Sequence, residues 1–219
     1  MASTAGSIAD ERRRAALLAK ELAEERREEI RLADLAASGR ISRRRLLELF
    51  EDDDDLFDAT VELWFEPHVA IMEEVVTGDL PSNRKMYEFF ARRFRVNRER
   101  YRADPAGFAA MCEAGAARFE RVRSFVDLAD HYLCELIAQA QADGFFPGLE
   151  IDQTLSLINQ MVTNYTMPET LTYLDERLSD EKLARIIDTI FVGLSGEDGG
   201  ANGVNTLRLA SSQGPIALD

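Results

Sequence analysis

Apolar residues recur every three to four positions along most of this chain, and no segment sustains an alternation of period two. That rhythm predicts an all-α fold. Between residues 9 and 27, Ala15, Leu18 and Leu22 form a narrow apolar face in a stretch rich in Ala, Glu and Arg, which predicts a first helix. Residues 1–8 carry no such face and read as a disordered lead. Leu32, Leu35 and Ala36 give a short second helix one apolar side. Gly39 lets the chain turn, and Ser42 can cap a third short helix carrying Leu46, Leu49 and Phe50. Two short helices meeting at an angle suit a DNA reader, because one can lie in the major groove while the other braces it.

Leu56, Val61, Trp64 and Phe65 begin a long helix that resumes beyond Pro67 through Val69, Met72 and Val76 to Gly78. Proline removes a backbone donor and crowds the preceding turn, so a kink is expected at Pro67. Further helices are predicted over 82–100, 105–121, 124–142, 152–165 and 179–194. Turn chemistry separates them at 79–81, Asp104-Pro105, Asp143-Gly144 and Pro147-Gly148. Two late stripes are more apolar than a solvent-facing end helix tolerates. One is Ile151, Leu155, Ile158 and Val162; the other is Leu183, Ile186, Ile187, Ile190, Phe191 and Leu194. They suit either a second subunit or burial within the same one. The Gly-, Ser- and Asn-rich residues 196–219 read as a flexible tail.

The segment Leu35-Ala36-Ala37-Ser38-Gly39-Arg40-Ile41-Ser42 is similar to the I-A-x-x-A-G-V-S turn of the TetR family of bacterial transcriptional regulators. Leu46, Phe50, Leu56 and Phe57 fall on that family's L-Y-x-Y-F-x-x-K-x-x-L-F spacing. The resemblance implies a helix-turn-helix DNA-binding head over 1–57 and a helical ligand-binding and dimerisation domain over 58–195. It also implies a homodimer joined through its late helix pair, a hinge role for the helix containing Pro67, and a small apolar ligand. A two-fold dimer would offer two recognition helices to half-sites one DNA turn apart. The expected partner is double-stranded DNA, contacted by Arg40, Ser42, Arg43, Arg44 and Arg45, since the planar arginine fork grips a guanine edge or a phosphate with two hydrogen bonds.

The chain also departs from the family pattern. Arg40 stands at the turn glycine, Leu47 and Leu49 at two phosphate-contacting tyrosines, and Asp53 at a phosphate-contacting lysine. Residues 51–55 form an unbroken acidic run, which supports two readings. The acids either cap the next helix and complement its dipole, or mark a TetR-fold protein with weakened or lost DNA binding that acts as a protein-interaction module.

Charge sharpens the choice. A net charge of −14 and a pI near 4.7 exclude general nucleic-acid or anionic-membrane binding by the whole molecule, while leaving room for one basic patch at a tip. Acidic residues outnumber basic ones even within 1–57, so any DNA affinity must come from local clustering and depend steeply on salt. Cys112 and Cys134 lack paired spacing and read as core thiols. With a charged N-terminal stretch and no long apolar run, a cytoplasmic protein without a membrane span is expected.

No nucleophile elbow, phosphate loop, CxxC or HExxH spacing occurs, so neither an enzyme nor a cofactor or metal site is expected. Asp127 and His131 share a helix face and read as a structural pair. The arginines within 92–102 read as a solvated face. For the ligand, Trp64, Phe90 and Met111 are the expected apolar lining, with His68, His131, Tyr132 and Asn159 as polar groups that orient it.

Overall fold

Ala15, Ala16 and Ala19 present almost no side-chain bulk, so the first helix can lie close against its neighbours, and this sets the geometry of the N-terminal core. The computed structural model describes residues 2–196; the rest of the expected tail, 197–219, lies outside the described residues. Helices α1 (Ala2–Arg26), α2 (Leu32–Ala37) and α3 (Arg43–Leu49) close around Leu22, Leu35, Leu46, Leu49 and Phe50, with Leu56 from α4 (Asp53–Thr77). Leu35 and Leu46 are almost fully buried, and burial of such a side chain contributes about 1.5–3 kcal/mol. Gly39 turns the chain between α2 and α3 at φ 72°, a left-handed conformation that glycine adopts without a Cβ clash. The backbone of α1 starts at Ala2, ahead of the expected residue 9; the apolar face begins only at Ala15, so periodicity could not register the earlier turns.

Helix α4 runs unbroken through Pro67 and serves two cores. Its first turns give Leu56 and Ala59 to the head, and its last turns give Ile71, Met72, Val75 and Val76 to the body. The body continues with α5 (Ser82–Ala103), α6 (Pro105–Ala117), α7 (Phe119–Ala142) and α8 (Ile151–Thr166). A short α9 (Leu171–Leu174) between two 3-10 turns then leads to α10 (Asp180–Leu194). Helix α5 is the central strut, packed against α4, α6, α7, α8 and α10. Phe89 and Phe90 meet edge to face at 5.1 Å, and Phe94 meets Tyr165 at 5.0 Å. Among the described residues every regular element is helical, and no helix is long and apolar enough to cross a membrane.

Several local expectations change under tertiary contact. Ile158 and Val162 of α8, and Leu183, Ile187, Ile190, Phe191 and Leu194 of α10, are buried within the same chain, with Phe191 packed near Phe146 at 4.9 Å. Both late stripes therefore face the subunit's own core; Met161 and Val192 are the exposed apolar residues on the outer sides of α8 and α10. The arginines of α5 are not a solvated face. Arg95 pairs with Asp180, Arg98 and Arg102 share Asp175, and Arg93 lies over the Phe89 ring at 4.9 Å. Arg95, Arg98 and Arg102 pin α5 to the C-terminal elements. His131 pairs with Glu135 at 3.0 Å rather than with Asp127. Burial pushes the Cys112 thiol up to about 12, which makes it unreactive at neutral pH.

The boundary between α6 and α7 falls at Arg118, with no proline there and the nearest glycine, Gly115, inside the last turn of α6. The Arg118 side chain lies 4.5 Å over the Phe57 ring and pairs with Glu29 at 2.5 Å, so contacts with the head hold the chain where the helix breaks.

Candidate functional site

Helix α3 is short, and its orientation follows from which of its side chains are claimed by the head. Leu46 and Leu49 go inward, and Ser42 caps the helix by accepting from the Arg45 N–H at 3.2 Å. The opposite face carries Ser42, Arg43, Arg44 and Leu47 outward, with Leu47 59% exposed. Arg43 has no ion pair among the described residues, and the Arg44 side chain is 91% exposed beside Glu48 at 3.1 Å. The other two arginines are tied back to α1. Arg45 bridges Glu11 and Glu48 at 2.7 Å each, and Arg40 reaches Glu21 at 3.4 Å. Of the five expected contacts, the structure thus brings Ser42, Arg43 and Arg44 together on one open face and engages Arg40 and Arg45 within the head. Leu47 is absent from the expected contacts, yet it stands one turn from Arg43, where an apolar side chain can meet a thymine methyl.

Four of the five acids in the run are engaged within the chain, while Glu51 and Asp52 stay exposed. Asp52 caps α4 by accepting from the Asp55 N–H at 2.9 Å, and Asp53 accepts from the Leu32 N–H at 2.8 Å, which caps α2. Asp55 takes a two-pronged bond from Arg12, which also donates to the Leu49 carbonyl at 2.7 Å and lies over the Phe50 ring. The Arg12 guanidinium holds the Asp55 carboxyl below its usual range. Asp54 and, one turn on, Asp58 both accept from Arg121 at 2.6 Å. These acids hold α1, α2, α3, α4 and the start of α7 to one another. Asp53→Lys deletes the α2 cap and is expected to lower head stability by about 0.5–2 kcal/mol, whereas Asp53→Asn keeps an acceptor and most of the stability. Urea unfolding followed by circular dichroism reads the difference; equal midpoints for Lys and wild type would refute the capping role.

A cavity of about 460 Å³ opens between head and body. Ala19, Lys20 and Ala23 of α1, with Glu28, Glu29 and Ile30 beyond it, form one wall. Phe57, Thr60 and Trp64 of α4 form the back, and the end of α5 with Gly107, Phe108, Ala110, Met111 and Ala114 of α6 forms the other wall. Its cause is legible in side-chain size: alanines at helical spacing line it from both α1 and α6, and their short side chains leave the space between the two helices unfilled. Arg100 crosses its edge, donating to the Trp64 carbonyl at 2.9 Å and lying 4.4 Å over the indole.

Only Trp64 and Met111 of the seven expected ligand residues line this cavity. Phe90 is buried in the body core, and His131 is exposed on α7. Tyr132 donates to Glu73 at 3.3 Å, and Asn159 donates to Asp130 at 2.9 Å. His68 is 4% exposed on α4, next to Asn97 and close to Arg93 and Arg100. Burial, reinforced by the two guanidinium charges, pushes its imidazole down to about 3, so it is neutral at physiological pH. The wall residues that the apolar pattern does not single out still carry a signal, the alanine and glycine face of the α6 sequence PAGFAAMCEAGAA.

Residues 82–187 match the family model for the tetracyclin repressor-like C-terminal domain. The match begins at the first residue of α5, so the helix-turn-helix and α4 precede it. No curated protein matches the chain. Among solved structures, the fatty acid degradation regulator FadR from Bacillus halodurans is similar at 17% identity and a TM-score of 0.49, covering 86% of this chain and 94% of its own.

Proposed function

We propose, from the premise that residues 82–187 of this TetR-like chain form a tetracyclin repressor-like C-terminal domain, that it is a dimeric, DNA-binding transcriptional regulator. The head over 1–57 reads double-stranded DNA, and the body over 58–195 senses a small apolar ligand and forms the dimer. The observation that carries this reading is the outer face of α3, where Arg43 and Arg44 project beside Ser42 and Leu47 while the neighbouring acids are spent on internal caps and ion pairs. An acidic docking surface would need those carboxylates free, and four of the five at residues 51–55 have partners within the chain. This weighs against the interaction-module reading.

Ligand occupancy acts as a population shift: it favours a body conformation in which the two heads no longer match the half-site spacing. Because α4 contributes to both cores, it is the element through which head and body move together. The working compartment is the cytoplasm, where the DNA partner resides.

Selection of genomic DNA fragments by the purified chain at low and moderate salt tests the reading. The expected result is enrichment of sites with two-fold symmetry whose half-sites lie about one helical turn apart, roughly 10 base pairs, bound by two copies of the chain in sedimentation equilibrium. Recovery of no DNA, or of sequence-independent DNA only, would overturn it.

A further inference from the structure

The cavity between α1, α4 and α6 is not part of the body core, where Phe89, Phe90 and Phe94 are fully packed. We infer that it is a binding site for an uncharged, flat aromatic molecule of a few fused or linked rings, held between head and body. This rests on the reading of the chain as a ligand-responsive regulator and gives that ligand a place and a chemical class.

Three observations carry the assignment. The volume, about 460 Å³, lies in the range of small-molecule sites. The back wall is aromatic: Trp64 and Phe108 stand 5.5 Å apart at an interplanar angle of 43°, with Phe57 beside them, which gives a flat ring faces and edges to pack against. The charged groups at the rim are of both signs, with Lys20 and Arg100 opposed by Glu28, Glu29 and Asp104. A ligand of either charge would therefore meet repulsion as well as attraction and lose its hydration, whereas a neutral one loses only apolar contact with water.

The position makes occupancy consequential. Helix α1 supplies one wall of the cavity and also packs against α2 and α3 in the head. Helix α6, which supplies the other wall, ends at Arg118. From there Arg118 and Arg121 reach Glu29, Asp54 and Asp58 in ion pairs that bridge head and body. A molecule wedged between α1 and α6 thus presses directly on the helix that sets the angle of α3 and works against this clamp.

The chain's one tryptophan is Trp64, so its fluorescence reports on the site without labelling. The probe is N-phenyl-1-naphthylamine, neutral and bicyclic-plus-ring in shape, compared with 1-anilinonaphthalene-8-sulfonate, the same skeleton bearing an anion. The full chain is expected to bind one neutral probe with quenching of Trp64, about tenfold more tightly than the sulfonate. Ala114→Leu on α6 and Ala23→Leu on α1 fill the cavity from opposite walls with a good helix former, so each should fold with an unchanged or raised melting temperature. Each is expected to weaken the neutral probe about tenfold or more, while His131→Ala, at an exposed position of α7 outside the cavity lining, leaves binding unchanged. Absence of binding to wild type, equal affinity for the two probes, or unaltered affinity in both folded leucine variants would overturn the site. A separate arm measures DNA affinity with and without the probe. If the probe binds as expected yet leaves DNA affinity unmoved, the site stands and the ligand-responsive part of the regulator reading falls.

Discussion

Replacing Arg43 and Arg44 together by alanine is expected to weaken binding to the selected DNA by about 100-fold, since each two-pronged arginine bond to a base edge contributes about 1–3 kcal/mol. Where either arginine touches a phosphate instead, the slope of log affinity against log salt should fall by about 0.9 for each phosphate no longer neutralised. The fold should be unaffected, because Arg43 has no ion pair among the described residues and Arg44 makes only an exposed pair with Glu48. Arg45 supplies the contrast. It bridges Glu11 and Glu48, so Arg45→Ala should show its main effect as a lower unfolding midpoint of the head. Fluorescence anisotropy on labelled operator DNA across a salt series reads the first effect and urea unfolding the second. A double variant with wild-type affinity at every salt concentration would remove α3 as the reading element.

The second large effect is on stability and comes from His68. Its imidazole is held down to about 3 in the folded chain by burial, with Arg93 and Arg100 adding to the depression; in the unfolded chain it titrates near 6.5. Between those values the unfolded state binds a proton that the folded state does not, so stability rises with pH. The contribution is complete above about pH 6.5 and is lost at about 1.4 kcal/mol per pH unit as the pH falls towards the folded value. The informative window is pH 6.5 to 5, where carboxylates such as Asp55 and Glu66, both held below their usual range by arginine partners, stay ionised. His68→Gln should flatten the pH dependence of the unfolding free energy across that window while remaining helical. Parallel curves for the variant and wild type would show that His68 does not titrate differently on folding.

His68 also illustrates how reading a sequence and seeing a fold part company. From the sequence it is a polar residue on a helix bearing aromatics, an expected ligand contact. In the structure the same helix face turns it towards Asn97 and two arginines of α5, where it becomes a buried neutral group outside the cavity. Asp53 differs in another way: the sequence reads the acidic run as capping the helix that follows it or as a docking surface, and the structure has Asp53 accept from the Leu32 amide at the start of the earlier helix α2. In both cases the residue's neighbours come from a distant part of the chain, and no local pattern names them.

What the sequence by itself determined is local. Apolar spacing of three and four, capping by Ser42 and Ser179, and the turns at Gly39 and Asp104-Pro105 act within a few residues, so the all-α class, most helix positions and the outward basic start of α3 follow from them. What only the tertiary structure decided rests on pairs far apart in the chain. Arg12 with Asp55, Arg118 with Glu29 and Arg121 with Asp54 engage the acids within the chain and accompany the helix break at Arg118. Alanines on α1 and α6 become a cavity only once packing sets those helices on either side of Trp64. Burial and ion pairing are properties of where side chains meet in space, and periodicity along one helix carries no information about what lies across from it.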